Sequence, residues 1–146
     1  MVVGSLAGIA LAFVLAGAGA RLPGPASLPV AVGLAVMCLG TVLRYWSVLT
    51  LGRFFTVTVD IGEGHRVVDT GPYAVLRHPS YTGMLVVYLG IGICLDSWLS
   101  VAATVVLPAL AVLNRIRHEE AVLVRQLGVD YERYRGRTSR LVPGVW

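Results

Sequence analysis

Two short runs hold most of the side chains in this chain that could do chemistry. The first is Gly71-Pro72-Tyr73-Ala74-Val75-Leu76-Arg77-His78-Pro79-Ser80-Tyr81-Thr82-Gly83. Pro79 suits the first turn of a helix, where its missing N–H loses no hydrogen bond. The free N–H groups of such a turn, with Arg77 and His78 beside them, form a place for an anion such as a carboxylate. Tyr73 and Tyr81 offer faces to an adenine ring or a cation. Gly83 lets a ligand or another helix come close. The plainer reading is an interfacial anchor, because arginine and tyrosine are common at headgroup level and proline commonly opens a helix.

The second run is Arg115-Ile116-Arg117-His118-Glu119-Glu120. Arg115 and Glu119 are one helical turn apart and can pair, which on a solvated surface would be worth under about 1 kcal/mol. Glu120 falls on the apolar stripe formed by Leu113, Ile116, Leu123 and Leu127. A carboxylate so close to hydrocarbon needs a partner or a ligand. Farther on come Tyr131, Tyr134, Arg137 and Arg140, which suit either a site or a basic amphipathic tail lying on anionic lipid. There is no Ser-His-Asp order, phosphate-binding glycine loop or zinc spacing. His65, His78 and His118 are too scattered for a metal site, so no metal is expected. Spacing alone points to a membrane-surface site able to hold an anion and an aromatic ring.

The elements that must position these residues are apolar. Hydrophobic residues make up 56% of the 146 residues and charged residues 14%, against about 25% charged in a soluble domain. A bilayer removes the need for a charged surface, so an integral membrane protein of a single domain is expected. The net charge of +4 comes from twelve arginines, with no lysine. In so apolar a chain this excess belongs against anionic headgroups, not nucleic acid. Cys38 and Cys94 lie in apolar runs and read as small core residues.

Uncharged stretches run from Met1 to Ala20, Leu22 to Leu43, Pro79 to Leu95 and Ser97 to Asn114. They predict four transmembrane helices, at about 1–20, 28–50, 79–95 and 97–114, with a tail over 115–146. Pro108 predicts a kink in the fourth. Asp96 alone separates the last two, which predicts a tight helical hairpin. Ala18 and Ala20 resemble a signal cleavage site, but the basic leader of such signals is missing. Gly4, Gly8, Ala12, Ala16 and Ala20 instead form a ridge of small residues suited to close helix packing, within the chain or between chains. The loop before the second span holds only Arg21, and the turn at Asp96 holds no arginine. Four arginines fall between residues 44 and 77 and seven from 115 to 140. By the positive-inside rule the central loop and the tail, and with them the N-terminus, are cytoplasmic. In that loop Phe55, Val57, Val59 and Ile61 alternate with Thr56, Thr58 and Asp60 before Gly62-Glu63-Gly64, which predicts a short β-hairpin. The chain after the fourth span reads as a cytoplasmic helix with Gly128 as its stop.

The run from Leu51-Gly52-Arg53-Phe54-Phe55 through His65-Arg66-Val67-Val68, Thr70-Gly71-Pro72-Tyr73 and Arg77-His78-Pro79-Ser80-Tyr81-Thr82-Gly83 resembles the isoprenylcysteine carboxyl methyltransferases and their prokaryotic relatives. So does the tail, in Arg115, Glu119-Glu120-Ala121-Val122-Leu123, Gly128, Tyr131, Tyr134 and Arg140-Leu141-Val142-Pro143. The likeness covers residues 51 to 143. It implies a multi-pass methyltransferase of a bacterial or archaeal cell membrane that uses S-adenosylmethionine, with its active site on the cytoplasmic side and its substrate arriving from the lipid. The implied cofactor side is Tyr73, Arg77, His78, Pro79, Tyr81, Gly83, Glu120, Tyr131, Tyr134 and Arg140. Arg115 and Glu119 fall near the methyl acceptor, as the implied catalytic pair. Leu127-Gly128 stands where the family often has Phe-Gly, and the extra N-terminal helices of the eukaryotic enzymes have no counterpart.

Methyl transfer from a sulfonium is an in-line displacement, in which positioning outweighs acid–base catalysis. The implied acceptor is the carboxylate of a prenyl-cysteine-like lipophilic molecule, which needs no general base. An NADPH-dependent sterol-type reductase, a phospholipid amine methyltransferase and a non-enzymatic membrane scaffold are the competing readings. The reductase would need room for a dinucleotide.

Overall fold

Uncharged runs of Val, Leu, Ala and Ile fold here into helices, in a computed structural model that describes residues 2–25, 27–52 and 67–145. Helix α1 is Val2–Leu15, α2 is Ser27–Leu51, α3 is Pro79–Cys94 and α4 is Trp98–Arg137. A short 3₁₀ turn, Gly71–Ala74, precedes α3. No strand occurs among the described residues. The expected β-hairpin centred on Gly62-Glu63-Gly64 lies outside them, apart from Val67 to Asp69, which are irregular.

Helix α1 packs on α4, α4 on α3 and α3 on α2. The outer faces remain apolar: Leu6, Phe13, Leu34, Leu39, Val42 and Leu49 are each more than half exposed. In water such a surface would drive association, whereas against acyl chains it is an ordinary outer face. The chain is an integral membrane protein. Helices α2 and α4 are long and apolar enough to cross a bilayer, while α1 and α3 are apolar but shorter.

The α2–α3 seam is built from glycine. A Cβ on Gly40 would stand 2.6 Å from the carbonyl oxygen of Gly83, and one on Gly83 would stand 2.7 Å from that of Gly40. Gly33 and Gly90 repeat the arrangement two turns away, at 2.7 and 2.6 Å. The two backbones therefore touch, which maximises dispersion contact where lipid supplies no hydrophobic drive between helices. The ridge on α1 does the same against α4. A Cβ on Gly4 would meet Ala111, one on Gly8 would meet Pro108, and Ala12 is fully buried. The ridge thus packs within the chain. Ser100 Oγ donates to Ala12 O at 2.8 Å and Ser97 Oγ to Ala18 O at 3.0 Å.

Three features differ from the sequence expectation: the end of α1, the place where α4 bends and the place where it stops. The first helix ends at Leu15, short of Ala20. The Gly17-Ala18-Gly19 run favours a helix weakly, Gly19 has φ +86°, and Ser97 takes the carbonyl of Ala18. Pro108 stands inside α4 against Gly8, yet the break in helical dihedrals falls at Gly128, with φ 53° and ψ −129°. Only glycine adopts that backbone readily. Gly128 therefore bends the helix without stopping it, and the helix resumes as far as Arg137. At 1.5 Å per residue the part of α4 that precedes Gly128 is ~45 Å long, more than the hydrocarbon thickness, so its charged end reaches past the length that a span needs. The turn between α3 and α4 is as tight as expected. Asp96 adopts φ 51°, accepts a hydrogen bond from Leu22 N at 3.2 Å and pairs with Arg21 at 3.2 Å.

Candidate functional site

The opposite end of the bundle from Asp96 is where α3 starts and the tail returns. Residues 75–78 and 139–140 run side by side: Ser139 N donates to Val75 O at 3.0 Å, Arg77 N to Ser139 O at 2.7 Å and His78 N to Arg140 O at 3.1 Å. This brings residues more than 60 positions apart into one layer above the start of α3. Thr82 Oγ1 adds a hydrogen bond to Leu141 O at 2.8 Å.

Glu120, 4% exposed, lies at the centre. Its Oε1 accepts from Arg77 Nε at 2.8 Å and its Oε2 from Arg140 Nε at 3.0 Å. Burial alone would raise its carboxyl, but the facing His78 and Arg77 outweigh burial and hold it down at about 2. Arg77 Nη1 also donates to the carbonyl oxygens of Thr138 and, at 3.0 Å, of Arg135. It therefore closes the C-terminal end of α4, where carbonyls lack helical partners and a cation meets the negative end of the dipole. The carboxylate that looked exceptional on an apolar stripe is the clasp between the start of α3 and the tail.

Glu119, one residue earlier, faces the other way. Its Oε1 accepts from Tyr81 OH at 2.6 Å and from Arg115 Nε at 2.7 Å. Arg115 also lies over the Tyr81 ring, 6.0 Å from its centre, and its hydrogen bond to Glu119 raises its affinity for its proton. The i,i+4 pair is thus half-buried and part of a triad, not a solvated surface pair. Glu119 Oε2 accepts no hydrogen bond among the described residues, and His78 Nδ1 stands 3.8 Å from it. The rings of His78 and Tyr81 stack at 5.8 Å.

Two buried polar atoms in this layer have no hydrogen-bond partner among the described residues: His78 Nε2 and Tyr131 OH. His78 Nε2 stands 3.5 Å from Glu120 Oε1, beyond a good hydrogen bond. Burial and then Glu120 push the Tyr131 hydroxyl above its usual range. A buried polar atom without a partner costs about 1–3 kcal/mol, so such a pair needs a polar group from outside the described residues.

The structure therefore brings Arg77, His78, Tyr81, Arg115, Glu119, Glu120 and Arg140 together, with Tyr131 against them. Tyr134 is close by but structural, its hydroxyl donating to Tyr73 O at 2.8 Å. Tyr73 is buried to 7% exposure and offers no open ring face. Burial, then Glu119, pushes its hydroxyl up to about 12. Pro79 is fully buried at the first turn of α3. Gly83 faces α2, so its missing side chain serves the helix seam.

One residue was weighed in the sequence only as an inside-facing charge. Arg44 of α2 donates from Nη1 to Ser80 O and to Ser80 Oγ, both at 3.2 Å. Its signal was its position inside an otherwise uncharged span, where an ionised side chain needs a reason.

Known proteins are similar to this chain in sequence and fold. The family model for the isoprenylcysteine carboxyl methyltransferase (ICMT) family matches residues 31–125. Protein-S-isoprenylcysteine O-methyltransferase B of Arabidopsis thaliana is 36% identical over 115 residues, covering 77% of this chain and 58% of that protein. The protein-S-isoprenylcysteine O-methyltransferase of Schizosaccharomyces pombe is 33% identical over 112 residues, covering 75% of this chain and 48% of that one. The solved structure of the eukaryotic intramembrane Ras methyltransferase ICMT superposes with a TM-score of 0.74 at 32% identity, covering 80% of this chain and 42% of that one. The chain thus spans less than two-thirds of the length of each of these relatives.

Proposed function

Because the chain belongs to the isoprenylcysteine carboxyl methyltransferase family, we propose that it transfers a methyl group from S-adenosylmethionine to the carboxylate of a prenyl-cysteine-like lipophilic acceptor. The observation that carries this reading is the pair His78 Nε2 and Tyr131 OH, without a hydrogen-bond partner among the described residues and buried beside the triad of Tyr81, Glu119 and Arg115. That set fits the donor molecule, which has an amine, a carboxylate, a sulfonium and an adenine. When bound, S-adenosylmethionine supplies an electrophilic methyl group on its sulfonium.

The residues of this chain bind, orient and exclude water. His78 and Tyr131 give polar partners to the bound amino-acid end. The stacked rings of His78 and Tyr81 offer a face to a cation. Glu119 holds Arg115 and Tyr81 in register and keeps Oε2 for a ligand. Its charge, aimed by two hydrogen bonds, stands beside the place where positive charge is carried before transfer. Arg115 supplies a cation for the acceptor's anionic end. No group need remove a proton, because a carboxylate is already the nucleophile.

Addition of S-adenosylhomocysteine to the detergent-purified protein raises its thermal midpoint. At 100 times Kd the stabilisation is about 2.7 kcal/mol, while NADPH leaves the midpoint unchanged. The reverse pattern would overturn this reading in favour of a reductase.

Four membrane crossings, with the site on the cytoplasmic face, complete the proposal. The support is the arginine distribution, seven of twelve being in the tail, and the ion pair of Arg21 with Asp96 at the other end. In a background lacking Cys38 and Cys94, Trp98→Cys and Arg117→Cys label from opposite sides with an impermeant thiol reagent. Labelling from one side would sink the topology.

A further inference from the structure

The tail does not stay in the charged layer. Leu141 is 8% exposed and shares one apolar cluster with Met84 of α3 and with Val112 and Ile116 of α4. Met84 lies five residues past Pro79, or about 7.5 Å into α3 at 1.5 Å per residue. Val112 belongs to the uncharged stretch that ends at Asn114. Its neighbour Ala111 meets the first turn of α1, where a Cβ on Gly4 would stand 3.1 Å from Ala111 Cβ. Three helices therefore place Leu141 at the rim of the apolar zone, and the Thr82 hydroxyl fixes its carbonyl there. One residue earlier, Arg140 is still in the charged layer on Glu120.

The residues that follow turn back at this rim. Gly144 N donates to Ser139 Oγ at 2.9 Å and Val145 N to Val142 O at 3.2 Å, and Gly144 has φ +73°. Val142 and Val145 are nonetheless 51% and 75% exposed. Val75, also 51% exposed, stands at the same junction, because its carbonyl accepts from Ser139 N. After Asn114, Val129 is the only other large hydrophobic side chain exposed to this degree among the described residues. Residues 141–146 carry no charged side chain, directly after a stretch with seven arginines from 115 to 140. A single exposed valine needs no explanation. Three on segments that meet at Ser139, at the edge of hydrocarbon, extend the lipid-facing surface of the helices.

We propose that residues 142–145, with Val75, form an interfacial anchor that inserts at the boundary of headgroups and acyl chains in the leaflet nearest the site. The anchor holds the tail from its far end, as Glu120 holds it through Arg140. Apolar burial in lipid needs no protein partner, so these valines are exposed in the protein and covered in the membrane. The site is then fully assembled only when the leaflet is present. This does not depend on the identity of the methyl acceptor.

The test uses the full chain in lipid nanodiscs that hold one copy, in a background lacking Cys38 and Cys94, with a bimane label at Val145→Cys. Leu39→Cys on the outer face of α2 is the lipid reference, and the exposed Glu132→Cys is the water reference. Nitroxide on the lipid headgroup or high on the acyl chain quenches the Val145 label more than nitroxide near the chain end, whereas the Leu39 label shows the opposite order. Aqueous iodide quenches Glu132 at least threefold more than Val145. A Val145 label that behaves like Glu132 would overturn the anchor. Shielding from both nitroxide and iodide would mean that protein covers it, with the same consequence. Loss of nitroxide quenching on addition of N-acetyl-S-farnesyl-cysteine would give the patch to the acceptor and also overturn the proposal. A second measurement reads the hold on the tail. Trypsin cleavage after Arg140 in nanodiscs rises at least tenfold in Val142→Ser combined with Val145→Ser, and stays at the wild-type rate in Val142→Leu combined with Val145→Leu. Equal cleavage of all three would show that the leaflet does not secure the tail.

Discussion

Glu120→Ala detaches the tail from the start of α3 and destabilises the protein by about 3–5 kcal/mol, the usual consequence of removing one partner from a buried ion pair. The substitution leaves Arg77, 8% exposed, and Arg140, 21% exposed, facing each other across an empty space. Two like charges then lie where one carboxylate had neutralised them. Thermal denaturation in detergent shows the loss as a fall of roughly 10 °C, from about 2–4 °C per kcal/mol at this size. Arg77→Met combined with Glu120→Leu loses less than Glu120→Ala alone, because one of the two arginines that faced the carboxylate is removed with it. The same clasp has a pH signature. The folded carboxyl sits at about 2 against an ordinary 4.5, so its contribution is complete above pH 4.5 and disappears as the pH falls towards 2. A depression of this size corresponds to about 3 kcal/mol, which agrees with the mutational expectation. A Glu120→Ala midpoint within 2 °C of wild type at neutral pH would show that the clasp does not hold the tail.

Much of this was legible in residue patterns. The apolar runs give the helices, and the small-residue ridge on α1 packs as its spacing implies, because a stripe at every fourth residue has one geometric use. Glu120 was recognisable as needing a partner because an acid on an apolar stripe is costly alone. Its partners were not recognisable. Arg77 and Arg140 lie 43 and 20 residues away, and only the return of the tail beside residues 75–78 joins them. Gly83 shows the same limit from the other side. Its spacing signals close approach but cannot say whether ligand or helix approaches, and the partner glycine at position 40 becomes visible only once α2 and α3 are antiparallel. Tyr73 reads as an open aromatic face because sequence carries no burial for a lone turn residue. The length of α1 was misjudged because the hydroxyl of Ser97, in the α3–α4 turn 79 residues along the chain, takes a carbonyl that a continued helix would have used.

Glu119→Gln lowers the rate of methyl transfer by at least about 100-fold while leaving the stabilisation by S-adenosylhomocysteine within a factor of two. Glu119 holds two groups at once through a single oxygen, Tyr81 at 2.6 Å and Arg115 at 2.7 Å. An amide keeps the shape but loses the charge that makes both hydrogen bonds strong. The cation–π attraction of Arg115 for the Tyr81 ring, worth about 0.5–1 kcal/mol where water reaches it, does not make up for that loss. In an in-line displacement a misplacement of about 1 Å is enough for a loss of about 100-fold. Tyr81→Ala separates binding from transfer. It removes the ring stacked on His78 and weakens S-adenosylhomocysteine about tenfold, the equivalent of about 1.4 kcal/mol. Were Arg115 and Glu119 merely a surface pair, their loss would cost under about 1 kcal/mol of stability and no turnover. Their half-burial and the shared bond to Tyr81 argue against that. Normal turnover by Glu119→Gln would remove the catalytic assignment of this triad while leaving the fold, the Glu120 clasp and the cofactor side as described.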